Sequence, residues 1–270
     1  MRARRSLIVP VIVLLLVTLV TPMALAARGG QGRTPSTINL VAAEDPSYWS
    51  IWNRYDNQYY LDPIEPTLYP RDGLGFTFDT ATRIAGTEPV SDDPDALFQG
   101  AYLGAVTEAF GLPSGVDLTG NRLSAAVHLV LEGGTPTFLY PADEAGEAPD
   151  ITPNTCGGPA TVALYFESWT ADDGYWYVDQ SVRSAAWATL DAIVRNGSVM
   201  TLKALLKPSL WIDTSGVSAV DTPEAFAAAV ASVSWIGITI GGGCYSATGV
   251  ALEDGTATGQ LHLARIAIQR

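Results

Sequence analysis

Four aromatic side chains carry the clearest chemistry in this sequence: Trp52, Trp169, Tyr175 and Tyr177. Indole and phenol rings join a flat apolar face to a polar edge, a combination that stacks on the C–H faces of sugars and holds a hydroxyl at the rim. Trp52 belongs to a dense run, with Tyr48, Trp49, Tyr55, Tyr59 and Tyr60 around it. The other three flank Asp172-Asp173-Gly174, a turn that folds two aromatic segments into a hairpin. Burial against a sheet is the competing use of such rings.

Other reactive groups are sparse. Asp92, Asp93 and Asp95 surround Pro94 and offer the oxygen ligands that calcium takes. Their spacing has neither the glycine nor the terminal glutamate of an EF-hand, which favours a solvated turn, so calcium is the one cofactor the sequence admits. His128 lies on a strand with no acid or nucleophile beside it in sequence. Nucleophile elbows, phosphate loops, His-Glu-x-x-His zinc motifs and dinucleotide fingerprints are absent. Glycoside hydrolysis by paired carboxylates gains no support, because 28 acids make some pair inevitable. We expect no catalytic residues and no enzyme.

The N-terminus reads as an export signal over residues 1–26: Arg2, Arg4 and Arg5, an apolar run from Leu7 to Val20, Pro22, then Ala24-Leu25-Ala26. The run is short of the ~20 residues a bilayer span needs, so no stable membrane insertion is expected after cleavage. Without those three arginines, 12 basic side chains face 28 acidic ones, a balance of −16. Such a surface repels nucleic acid and anionic lipid and leaves glycans, extracellular proteins and divalent cations as partners. In an oxidising compartment Cys156 and Cys244, the two cysteines of the chain, are expected to join. The bridge would close an 88-residue interval, worth about 4–5 kcal/mol as an upper figure.

The elements that must position these groups are strands. Residues 27–45 read as a flexible linker, followed by a single domain over 46–270 whose first part, 46–95, is an aromatic arm punctuated by prolines. Leu123, Ala125, Val127, Leu129 and Leu131 share one parity and define a long half-buried strand. Val162, Leu164 and Phe166 define a second, with Ala163, Tyr165 and Glu167 on its other face. Ile236, Ile238 and Ile240 give a third, and the spacing of Leu261, Leu263, Ile266 and Ile268 predicts a fourth with a bulge near Ala264. Asn196-Gly197 predicts a hairpin between 187–194 and 199–205. Asp221-Thr222-Pro223-Glu224 predicts one short helix near 222–231, with a side-chain cap. The fold class is therefore an all-β antiparallel jelly-roll β-sandwich.

The succession of these elements, with Ser184-Ala185-Ala186-Trp187, Pro208-Ser209-Leu210-Trp211, Phe226 and Val233-Ser234-Trp235-Ile236 as landmarks, resembles the laminin B (laminin IV type A) domain, including its lone bacterial forms. More distantly it is similar to jelly-roll carbohydrate-binding modules. The resemblance covers roughly residues 100–269 and implies a jelly-roll sandwich in an extracellular setting, with no catalytic residues to carry across. The expected function is a secreted or cell-surface recognition domain that binds carbohydrate through exposed aromatics. The alternative is a structural or adhesive domain whose partner is another protein.

Overall fold

The computed structural model describes residues 37–39, 48–55, 58–61, 66–69, 73–78, 98–134, 137–139, 161–169, 174–179, 187–196, 199–241, 249–252 and 257–270. The chain divides between Thr34 and Pro35, and every described residue belongs to the second unit. Its strands, in chain order, are β1 (Thr37–Asn39), β2 (Trp49–Tyr55), β3 (Gln58–Leu61), β4 (Thr67–Tyr69), β5 (Gly73–Phe78) and β6 (Phe98–Val106). Next come β7 (Arg122–Glu132), β8 (Phe138–Leu139), β9 (Thr161–Glu167), β10 (Tyr175–Val178) and β11 (Trp187–Thr189). A short helix α1 (Leu190–Asn196) precedes β12 (Met200–Leu205) and β13 (Trp211–Asp213). Helix α2 (Pro223–Val230), β14 (Trp235–Gly241), β15 (Ala251–Leu252) and β16 (Thr258–Gln269) complete the unit. No helix among the described residues is long and apolar enough to cross a membrane.

All strand pairs are antiparallel. The six-stranded sheet runs β12-β7-β16-β5-β4, with β1 also on β16; the eight-stranded sheet runs β13-β10-β9-β14-β6-β2-β3, with β11 also on β9; β8 and β15 pair apart from both. The two apolar parities read from sequence meet between the sheets: Leu123, Val127, Leu261, Leu263 and Ile266 from one, and Leu103, Val162, Leu164, Phe166, Ile236 and Ile238 from the other. The fold is thus all-β and sandwich-like, with β16 and β14 inside their sheets because each is wholly apolar on its inner face. The register of β16 against β7 shifts between Leu263 and Arg265, where the spacing predicts a bulge. Gly73 is pressed against this bulge with φ +84, and a Cβ there would fall 2.7 Å from the Ala264 Cα. Trp211 ties the sheets at one edge, its indole N–H donating 2.8 Å to the Leu205 carbonyl across the step from β12 to β13.

Two expectations need correction. The interval 187–205 is not a hairpin. After β11 the Thr189 hydroxyl accepts the Ala192 N–H at 3.1 Å and starts α1, which buries Leu190 and Ile193 at helical spacing. Strand β12 then pairs with β7 in the opposite sheet. Helix α2 starts at Pro223 as expected but without its side-chain cap, since the Thr222 hydroxyl donates back to the Ser218 carbonyl at 3.5 Å. Strand β1, within 27–45, pairs with the end of β16, and in the 46–95 segment β2 pairs with β6 and β5 with β16. The export signal, Asp92, Asp93, Asp95, Cys156 and Cys244 lie outside the described residues.

Candidate functional site

The outward face of the larger sheet carries a second cluster of aromatics, and strand register explains it. Odd-numbered residues of β9 point outward because Val162, Leu164 and Phe166 point in. Across the strands, Tyr175 stands opposite Glu167, which stands opposite Trp235. The next row runs Tyr177, Tyr165, Gly237, Gly104. In the third row Thr239 faces Tyr102, which faces Trp52.

The two facing glycines shape this surface. A Cβ on Gly104 would collide with the Tyr165 hydroxyl and the Trp235 indole nitrogen, and a Cβ on Gly237 would fall 2.6 Å from Tyr165 Cε1 and 2.7 Å from the Gly104 Cα. Absence of both side chains lets the Tyr165 ring lie down over two strands. That ring meets Tyr102 edge-on at 5.1 Å, and Tyr102 packs on Tyr175 at 5.6 Å. The Tyr102 and Tyr177 hydroxyls hydrogen-bond to each other and lock the floor.

Above the floor is a cavity of about 390 Å³, within the usual range for small-molecule sites. Its lining is Trp52, Tyr102, Tyr165, Glu167, Trp169, Tyr175, Thr214 and Trp235. Trp169, 56% exposed at the end of β9, forms the open rim. Its segment is held by the Ser168 N–H donating 2.7 Å to the Gly174 carbonyl. Thr214 reaches the cavity from a turn after β13 in which Asp213 Oδ1 accepts the N–H groups of Ser215 at 2.8 Å and Val217 at 2.9 Å.

Glu167 is the one ionisable carboxylate in the lining. Burial raises its pKa above the ordinary carboxylate value, and hydrogen bonds from the side chains of Tyr175 and Trp169 pull the other way. Burial, reinforced by the charge of Glu167, pushes the Tyr165 phenol well above its ordinary value, so it is a neutral floor at any physiological pH.

Of the four aromatic candidates from the sequence, Trp52, Trp169 and Tyr175 are brought together in this one cavity. Tyr177 is not a ligand-facing ring; it is 3% exposed and packs into the floor. Sequence reasoning missed Tyr102, Tyr165, Glu167, Thr214 and Trp235 as site residues. Parity puts Tyr165 and Glu167 on the face opposite the core stripe, but only tertiary pairing brings Trp52 and Trp235 beside them. His128 and His262, scattered in sequence, stand directly opposite each other in β7 and β16 with ring centroids 6.0 Å apart. His128 is half-buried and His262 is buried. No cluster of three or more metal-ligating side chains occurs among the described residues.

No family model, curated protein or solved structure matches the chain.

Proposed function

We propose that this protein is a non-catalytic recognition domain, secreted or at the cell surface, that binds carbohydrate in the aromatic cavity on the outer face of the larger sheet. One observation carries the reading: Trp52, Trp169 and Tyr175, rings suited to sugar stacking, converge with Trp235 on a single cavity that Glu167, a hydrogen-bond acceptor for hydroxyls, also lines. Two-carboxylate glycoside hydrolysis would need a second acid across the same cavity, and among the described residues Glu167 is the one acid of the lining.

A laminin B-like jelly roll is part of the proposal. In its support, the chain passes repeatedly between sheets, from β5 to β6 to β7 and from β12 to β13. Two landmarks of the resemblance, Trp211 and Phe226, also meet in the inner core, with Phe166 at 5.1 Å from Trp211 and 6.0 Å from Phe226.

Retention on insoluble polysaccharides at low salt tests the function. The protein should be retained on at least one, and Trp169→Ala should weaken binding by about 2 kcal/mol, roughly thirtyfold in Kd. Absence of retention on every polysaccharide would remove the reading; capture by a protein partner through another face would replace it with the adhesive alternative.

A further inference from the structure

We propose that the group seated in the cavity is an ammonium carried on a sugar ring, so that the ligand is an amino-glycan rather than a neutral polysaccharide. This rests on the carbohydrate reading above and narrows it.

Three features of the cavity point to a cation. Its lining is mostly aromatic: Trp52, Trp169 and Trp235, with Tyr102, Tyr165 and Tyr175. The negative face of an aromatic ring attracts an ammonium, indole most strongly, and several rings around one cation add their quadrupoles. The lining also contains Glu167 and neither lysine nor arginine, so among the described residues nothing in the cavity competes with a ligand for that carboxylate. Glu167 stands in register between Tyr175 and Trp235 on the neighbouring strands and lines the same cavity as both, so the carboxylate and the rings border one volume. A neutral sugar would use the rings and leave the desolvated carboxylate without a counter-charge, whereas an ammonium engages both. The chain's net charge of −13 adds long-range attraction for a polycationic glycan.

The test uses the full chain and three β-linked tetrasaccharides of equal length, built from glucosamine, N-acetylglucosamine or glucose, titrated calorimetrically at near-neutral pH and low salt. The glucosamine tetramer should bind at least about tenfold more tightly than the other two, and Glu167→Gln should bring the three within a factor of about two. Equal affinities for the wild type would overturn the ammonium proposal and leave the carbohydrate reading standing. Binding of none would overturn both. A preference that persists in Glu167→Gln would assign it to the acidic surface at large and overturn the cavity as its source. Should Glu167→Gln fail to fold, Trp169→Ala, at an exposed ring, takes its place: an undiminished preference for the amino-glycan would then overturn the proposal.

Discussion

Adding one methyl group at Gly237 is the most direct challenge to the way this site is built. The Cβ of Gly237→Ala would overlap the Leu103 carbonyl oxygen and fall 2.7 Å from the Gly104 Cα, both of them backbone atoms on the neighbouring strand. Ordinary carbon contacts begin at about 3.5 Å, so β14 and β6 must part by roughly 1 Å at this point. Strands are normally about 4.8 Å apart with ladder bonds near 2.9 Å, and that displacement takes the nearest bonds past their useful length. We expect a loss of about 1–3 kcal/mol, the usual range for overpacking, or roughly 2–12 °C in Tm for a unit of this size. Gly104→Ala meets different obstacles, the Tyr165 hydroxyl and the Trp235 indole nitrogen, both at side-chain ends. Tyr165→Phe should therefore relieve part of the cost of Gly104→Ala and leave that of Gly237→Ala unchanged. Scanning calorimetry of the single and double variants against wild type reads both quantities. A Gly237→Ala protein within about 0.5 kcal/mol of wild type, or equal rescue of both alanines by Tyr165→Phe, would refute the view that paired glycines make room for the cavity floor.

Glu167→Gln should raise Tm by an amount that depends on pH. The folded pKa lies above the unfolded one, so the wild type carries no penalty below the ordinary carboxylate value and loses stability as pH rises from there through the folded value. A difference in Tm that stays constant with pH would contradict the raised pKa. Tyr177→Phe should destabilise by about 1–2 kcal/mol, measured by urea unfolding, because it leaves the Tyr102 hydroxyl without the Tyr177 partner beneath the cavity. Trp211→Phe should cost more, about 2–4 kcal/mol, since it removes both a fully buried ring and the donor to the Leu205 carbonyl; an unchanged urea midpoint would deny Trp211 its role between the sheets. Thr161 pairs with Gly241, which places Cys156 five residues before one paired end and Cys244 three residues after the other. Alkylation before reduction should accordingly label neither cysteine, and reduction should lower Tm; labelling of both without reductant would end the disulfide expectation.

Periodicity determined a great deal of this protein. The single-parity stripes of β7, β9, β14 and β16 dictate two half-buried layers, because a side-chain period of two leaves no other way to bury each stripe as a unit; Val127, Leu129, Ile236 and Leu263 are all in the shared core. The bulge in β16 was equally legible, as a three-residue step in a two-residue pattern cannot continue an unbroken ladder. Asn196-Gly197 was misleading as a hairpin signal, because the capping role of Thr189 that starts α1 depends on a backbone turn that residue type alone does not reveal.

Which strands stand side by side is a different kind of information. Trp52 and Trp235 are separated by 183 positions in the chain, and they share a cavity only because β6 intervenes between β2 and β14, with Gly104 where the Trp235 ring needs space. The fate of Tyr177 shows the same limit: it has the same parity as Tyr175, yet one ring lines the cavity and the other is floor, since Tyr102 covers it from another strand. Alternation along a strand settles which face a residue takes. Neighbours across the sheet, chosen by long-range pairing, settle whether that face is open to a ligand or closed over.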